Sequence, residues 1–303
     1  MRHELTDGAP VAPVVAARDL SKHYGRVAAL DTIAFTIAPG EAVALWGPNG
    51  AGKTTILRCL LGLARYQGEI RVDGLDPVTD GRAVRARIGY VPQELPVSPM
   101  TVGELTAFIA RLKRVPTAAA WEKLELLGVA EHHHKAVSAL SGGQRQRLSL
   151  GLALIGEPPV LLLDEPTANL DAQARAELLI LLLRLRATGV TLVFSSHRPE
   201  DVLALANRVL RLETGTLLGS ATPLEFQREL GGTSRMLLFL KNGGRHQAIA
   251  ALADLGLDAT GEDKLLTVAV QPRQKAAVLT TLAAAGVELD DFDLERVAWT
   301  DRS

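Results

Sequence analysis

The sequence predicts an α/β fold built on a parallel sheet, and three stretches predict it. In the first, the apolar run Ala42-Val43-Ala44-Leu45-Trp46 meets a glycine-rich loop and then a second apolar run, Thr54 to Leu61: strand, loop, helix. In the second, Val160-Leu161-Leu162-Leu163 is apolar at every position, as a strand covered on both faces requires, and ends in Asp164-Glu165-Pro166. In the third, another buried strand, Val190 to Ser195, closes in Ser196 and His197.

The loop carries the chemistry. It reads Gly47-Pro48-Asn49-Gly50-Ala51-Gly52-Lys53-Thr54-Thr55, so Gly47, Gly52, Lys53 and Thr54 meet the spacing G-x-x-x-x-G-K-[ST]. A polyphosphate must be wrapped by backbone N–H groups at close range, which glycine permits because it lacks a Cβ. The following helix turns its free N–H groups and positive dipole end toward the anion. Lys53 then reaches the β/γ-phosphates, and the Thr54 hydroxyl suits Mg²⁺.

Composition narrows the class. The 303 residues allow one large domain plus a small one, and 47% hydrophobic content supports a real core. A net charge of −1 gives no general attraction to nucleic acid or anionic lipid. The single Cys59 allows no internal disulfide and fits a reducing compartment. Residues 1–12 read as a flexible leader without the apolar core of a signal peptide. The longest greasy stretch, Leu178 to Leu183, falls far short of the ~20 residues a spanning helix needs. The chain is expected not to cross a membrane by itself.

In chain order, Val14 to Leu20 and Thr32 to Ala38 read as antiparallel strands joined by a turn over Lys22 to Arg26. Tyr24 in that connection offers a ring that can stack on adenine. Gly68 to Gly74 reads as a strand, as does Arg87 to Val91, which Pro92 ends and Gln93 follows. An amide just past a strand end can ligate Mg²⁺ or hold a water. The pattern from Thr101 to Val137 is helical, opened by a Thr101–Glu104 capping box. Within it, His132-His133-His134 cannot share one helix face, so the run reads as a solvated helix end.

Leu140-Ser141-Gly142-Gly143-Gln144 then opens a long apolar helix to Ile155. Ser141 is a good N-cap, and the two glycines leave the helix start open to an anion. One nucleotide does not need two such cradles far apart in sequence. The economical explanation is that each copy supplies its second cradle to a partner's nucleotide. Asp164, at its strand's carboxyl end, suits Mg²⁺, and Glu165 suits orienting or deprotonating an attacking water. Asn169-Leu170-Asp171 reads as a helix-capping turn into the helix Ala172 to Arg186. His197 stands where it can touch a γ-phosphate. A helix (Glu200 to Ala206), two short strands and a helix near Pro223 to Leu230 follow. Gly231 to Ser234 reads as a linker. Residues 235–303 read strand, helix, strand, helix, strand, an arrangement like a small ferredoxin-like α+β unit.

Together these residues resemble the ATP-binding subunit of an ATP-binding-cassette (ABC) transporter, over about residues 14–230. The Walker A loop matches at Gly47 to Thr55, the Q-loop at Gln93, and the signature motif at Leu140 to Gln144. Walker B matches at Val160 to Asp164 with Glu165 behind it, the D-loop at Asn169 to Asp171, and the switch histidine at His197. Tyr24 takes the place of the adenine-stacking aromatic. The resemblance implies the P-loop NTPase fold of ABC ATPases, with an antiparallel β subdomain and a helical subdomain at about 94–140, the whole spanning 13–230. It implies a competent ATPase using ATP and Mg²⁺, with Glu165, His197, Lys53 and Gln93 in the chemistry. Thr54, Gln93 and Asp164 hold the metal. It implies a homodimer, or a pairing with a related subunit, that sandwiches two ATPs, each Walker A facing the other copy's Ser141-Gly142-Gly143-Gln144 and Asp171. A separate membrane permease then holds the chain at the cytoplasmic face of the inner or plasma membrane, and no nucleic acid is involved.

The single cassette with a short α+β tail looks most like exporters whose membrane subunit is a separate chain. It is also loosely similar to the ATPase of the copper-linked maturation system for nitrous oxide reductase. Two other readings stand beside it: an importer ATPase, and a soluble ABC protein acting on ribosomes or DNA. The latter usually carries two cassettes, coiled coils or zinc cysteines, and this sequence shows none of them.

Overall fold

A computed structural model describes residues 12–230, 234–241, 244–262, 264–270 and 274–296. Most of the expected leader and residues 231–233 of the expected linker lie outside the described residues. The chain divides into two compact units, Met1–Pro223 and Leu224–Ser303, so the division falls ahead of the expected linker.

The first unit opens with an antiparallel hairpin, β1 (Val15–Tyr24) and β2 (Val27–Ile37). The expected five-residue turn is only two residues long, with Gly25 in the left-handed region at φ 59°. Tyr24 therefore ends a strand instead of standing in a loop. Next come β3 (Ala42–Trp46), α1 (Lys53–Leu60), β4 (Gln67–Val72), α2 (Gly81–Arg87) and β5 (Ile88–Val91). Helix α2, unanticipated from sequence, buries only Val84, too little to print a helical pattern. Helices α3 (Val102–Lys113) and α4 (Thr117–Leu126) fill the expected helical region. The Thr101–Glu104 capping box forms: the Glu104 N–H donates to Thr101 Oγ1 at 3.1 Å, and the Thr101 N–H donates back to Glu104 Oε2 at 2.8 Å. Helix α5 (Gly142–Leu154) leads to β6 (Val160–Leu163), α6 (Ala172–Ala187), β7 (Thr191–Ser196), α7 (Pro199–Leu205), β8 (Arg208–Glu213) and β9 (Thr216–Ala221); the next helix, α8 (Pro223–Leu230), belongs to the second unit in all but its first residue.

Six strands form one sheet in the order β5-β6-β7-β3-β8-β9, parallel throughout except for the antiparallel edge strand β9. All four residues of β6 are wholly buried, as their unbroken apolar run requires. Burial of side chains of that size is worth roughly 1.5–3 kcal/mol each. A separate three-stranded antiparallel sheet, β2-β1-β4, packs its apolar side chains into the same core. The expected β subdomain is therefore present. Among the described residues no helix is long and apolar enough to cross a membrane.

The second unit carries β10 (Ser234–Leu240), α9 (Arg245–Ala253), β11 (Ala259–Glu262), β12 (Leu265–Val270), α10 (Lys275–Ala284) and β13 (Leu289–Arg296). Its four strands form an antiparallel sheet in the order β11-β12-β10-β13, with a core of its own around Met236, Leu252, Leu266 and Val278. Strand β11 was not read from sequence. Its residues Ala-Thr-Gly-Glu carry no apolar alternation, and it is held as an edge by pairing with β12.

Candidate active site

The register of the parallel sheet explains why residues scattered along the chain meet. Leu163 of β6 pairs with Phe194 of β7, so Asp164 stands level with Ser195. Leu45 of β3 also pairs with Ser195, and Val91 of β5 with Leu163. The carboxyl ends of four neighbouring strands thus present the glycine loop, Gln93, Asp164-Glu165 and Ser195-to-His197 along one edge, where ligands collect in open α/β sheets.

Between them lies a cavity of about 510 Å³. The loop supplies Asn49, Gly50, Gly52, Lys53, Thr54 and Thr55 to its wall, and Gln93, Glu165 and His197 complete the sequence-predicted part. Gly52 is the N-cap of α1 and sits at φ 100°; a Cβ there would meet Ala29 O at 2.7 Å and Leu30 Cδ2 at 2.6 Å. Only glycine fits. With no side chain capping α1, its first N–H groups are left for an anion.

Lys53 is nearly buried. Its Nζ donates to the Gly47 and Pro48 carbonyls at 2.7 and 3.0 Å, which leaves one of its three N–H donors for a ligand. Burial lowers its pKa, while the nearby charges of Glu165 and Asp164 act in the opposite direction. Asp164 Oδ1 accepts from Thr54 Oγ1 at 3.0 Å and from Ser195 Oγ at 2.7 Å. A hydroxyl and a carboxylate oxygen so placed form an all-oxygen donor set of the kind Mg²⁺ selects. Glu165 sits in the left-handed region at φ 46°, a strain on the order of 1 kcal/mol for a residue with a Cβ. Its N–H is anchored on Ser195 Oγ at 2.8 Å, and its Oε2 lies 2.8 Å from His197 Nδ1.

Three residues at this site were missed from sequence. Ser195 was read only as the end of a strand, yet it ties the Asp164 carboxylate to the Glu165 backbone. Arg198 also lines the cavity, and its Nε is buried with no hydrogen-bond partner among the described residues. Glu94 Oε1 accepts from Asn169 Nδ2 at 3.1 Å, joining the segment after Gln93 to the turn before α6. A serine at a strand end looks like ordinary turn chemistry until the register sets it beside Asp164.

The remaining candidates stand outside this cavity. Asp171 is the N-cap of α6, accepting from the Ala174 N–H at 2.8 Å. Ser141 caps α5 in a capping box: the Gln144 N–H donates to Ser141 Oγ at 3.3 Å, and the Ser141 N–H donates to Gln144 Oε1 at 2.9 Å. Gly142 and Gly143 form that helix's first turn. Ala51, within the loop, is buried. Tyr24 is half exposed with Lys22 Nζ 4.5 Å from its ring centroid, and it is not among the residues lining the cavity. His133 and His134 are exposed, as a solvated end requires, but the His132 side chain is only 13% exposed, which corrects that reading for one of the three.

Comparison with known proteins finds relatives over most of the chain. Residues 30–168 match the family model described as ABC transporter. The daunorubicin resistance ATP-binding protein DrrA3 of Streptomyces coeruleorubidus is 37% identical, the match covering 91% of this chain and 90% of that protein. The sulfate/thiosulfate import ATP-binding protein CysA of Caulobacter vibrioides is 41% identical over 69% of this chain and 65% of its own length. Among solved structures, the dimeric post-hydrolysis state of the ATP-binding cassette MJ0796 bound to ADP and Pi superposes with a TM-score of 0.62. It is 26% identical, covering 69% of this chain and 98% of that one.

Proposed function

The chain belongs to the ABC transporter ATP-binding proteins, an ATPase subunit whose hydrolysis is coupled to transport, and from that premise we propose that it powers export through a separate membrane subunit. The observation that carries the mechanism is the meeting of Lys53, Thr54, Glu165 and His197 around one cavity, with Asp164 bonded to Thr54 behind its wall. Glu165 orients the attacking water and takes its proton, and His197 fixes that carboxylate and faces the γ-phosphate. Lys53 spends its free donor on the β/γ-phosphates, and the open first turn of α1 receives them. Thr54, Asp164 and Gln93 would hold Mg²⁺, which when bound supplies neutralisation of phosphate charge.

In this reading two copies close head to tail, each offering Ser141, Gly142, Gly143 and Asp171 to the other's nucleotide. Tyr24 stacks on the adenine as the second wall of the site. The permease holds the pair at the cytoplasmic face of the membrane.

Export, in preference to copper-enzyme maturation, is supported by the resemblance to DrrA3, by name a resistance protein, because moving a compound out of the cell is one way to resist it. A match covering 91% of the chain must extend well into the second unit of 80 residues, Leu224–Ser303. Import is the second reading, favoured by the 41% identity to CysA, whose shorter match the first unit alone accommodates. The test is affinity purification of the Glu165→Gln chain with ATP from detergent-solubilised membranes. Recovery of a multi-span protein in a fixed ratio supports the transporter reading, and the cargo retained on it separates export from import. Recovery of the chain alone, or with ribosomes or DNA, overturns the reading.

A further inference from the structure

His132 closes a one-turn 3-10 helix, Ala130–His132, just ahead of the Leu140–Gln144 turn. Its Nε2 lies 2.9 Å from Gln144 Nε2. Two nitrogens at that distance require one donor and one acceptor. Gln144 Oε1 already accepts from the Ser141 N–H at 2.9 Å, so turning the amide over would set its NH₂ group against another donor. Gln144 therefore donates, and His132 Nε2 accepts. The imidazole is neutral and carries its proton on Nδ1. Glu131 Oε1 stands 3.6 Å from the same nitrogen, too far for a hydrogen bond.

We propose that His132 is a positioning residue for the start of α5. Ser141 Oγ is held by a long 3.3 Å bond from the Gln144 N–H, so its place depends on the other half of the capping box. That half runs through the Gln144 side chain, which His132 anchors from outside the box. Losing the anchor frees the amide, loosens the box and blurs the hydroxyl that meets the second copy's nucleotide. The inference rests on the partner-facing reading of Ser141.

The test uses the full chain in a Glu165→Gln background and reads the ATP concentration at half-maximal dimer formation. His132→Leu raises that concentration about fivefold, the scale of one net hydrogen bond. His132→Gln, whose amide oxygen can accept in place of Nε2, restores the parent value. Nitrogen-15 NMR shows His132 as the Nδ1–H tautomer, and Gln144→Ala removes that preference. An unchanged value for His132→Leu, a His132→Gln chain as impaired as His132→Leu at an unaltered unfolding midpoint, or an Nε2–H tautomer overturns the proposal. Ser141→Ala separates the two claims. If it leaves dimerisation unchanged, the partner-facing reading fails and this inference with it; if only Ser141→Ala impairs, the positioning role alone fails.

Discussion

Ser195 Oγ donates to Asp164 Oδ1 at 2.7 Å while accepting the Glu165 N–H at 2.8 Å, so one hydroxyl sets both the carboxylate at the β6 end and the strained residue after it. Ser195→Ala leaves a part-buried N–H unpaired and a buried carboxylate short of one donor, a loss of about 2 kcal/mol. If that loss is felt in the transition state, kcat/KM for ATP falls about thirtyfold. Steady-state kinetics beside a thermal melt check it; undiminished turnover would remove Ser195 from the site.

Asp201 of α7 is almost fully buried and accepts from Arg175 Nε at 2.8 Å and from Thr167 Oγ1. It clamps the segment after Glu165 and the helix after Asp171 to the helix after His197. Removing one partner of such a pair strands the other, although Arg175 keeps some access to water. Asp201→Ala is expected to lower unfolding free energy by about 2–3 kcal/mol in denaturant titration, and the double variant Asp201→Ala with Arg175→Met to recover part of that loss.

Much of this was legible in the sequence, for physical reasons. A buried parallel strand must be apolar at every position, so β3, β6 and β7 could be placed from Ala42-to-Trp46, Val160-to-Leu163 and the run ending at Ser195. The glycine loop, the Thr101–Glu104 capping box and the Ser141 N-cap rest on local chemistry and formed as read; the return bond to Gln144 that completes a second box was not read. Ser195 and the His132–Gln144 bond were not legible, because strand register and a contact across twelve residues leave no periodic trace. Helix α2 and edge strand β11 bury too little to announce themselves.

Cys59 lies on the buried face of α1, and burial pushes its thiol up to about 11. It is expected to resist alkylating reagents at neutral pH until the glycine-loop region opens. ATP present at 100 times its dissociation constant then slows labelling about 100-fold by mass action. Rapid labelling of the folded chain, or labelling indifferent to ATP, would contradict the placement of the nucleotide at α1.

Burial also lowers the pKa of Lys113, whose Nζ donates to the Ile155 carbonyl at 2.8 Å. The sign follows directly. Below its folded pKa the lysine is charged in both states, and the fold bears the full cost of burying that charge. As pH rises toward the ordinary value of 10.5, the folded chain releases the proton before the unfolded chain does, and the cost fades. Lys113→Met should therefore show a stability relative to wild type that declines from neutral pH toward that value. Denaturant midpoints across the range decide it, and a flat difference would refute the burial account.

The most direct test of the account is the Glu165→Gln chain, assayed for ATP turnover, ATP affinity and association state together. The geometry predicts turnover at least about 100-fold below wild type, the scale of a lost general base, with affinity retained and a dimer accumulating in ATP. Turnover equal to that of wild type, with no dimer formed, would contradict both the role of Glu165 and the two-copy site.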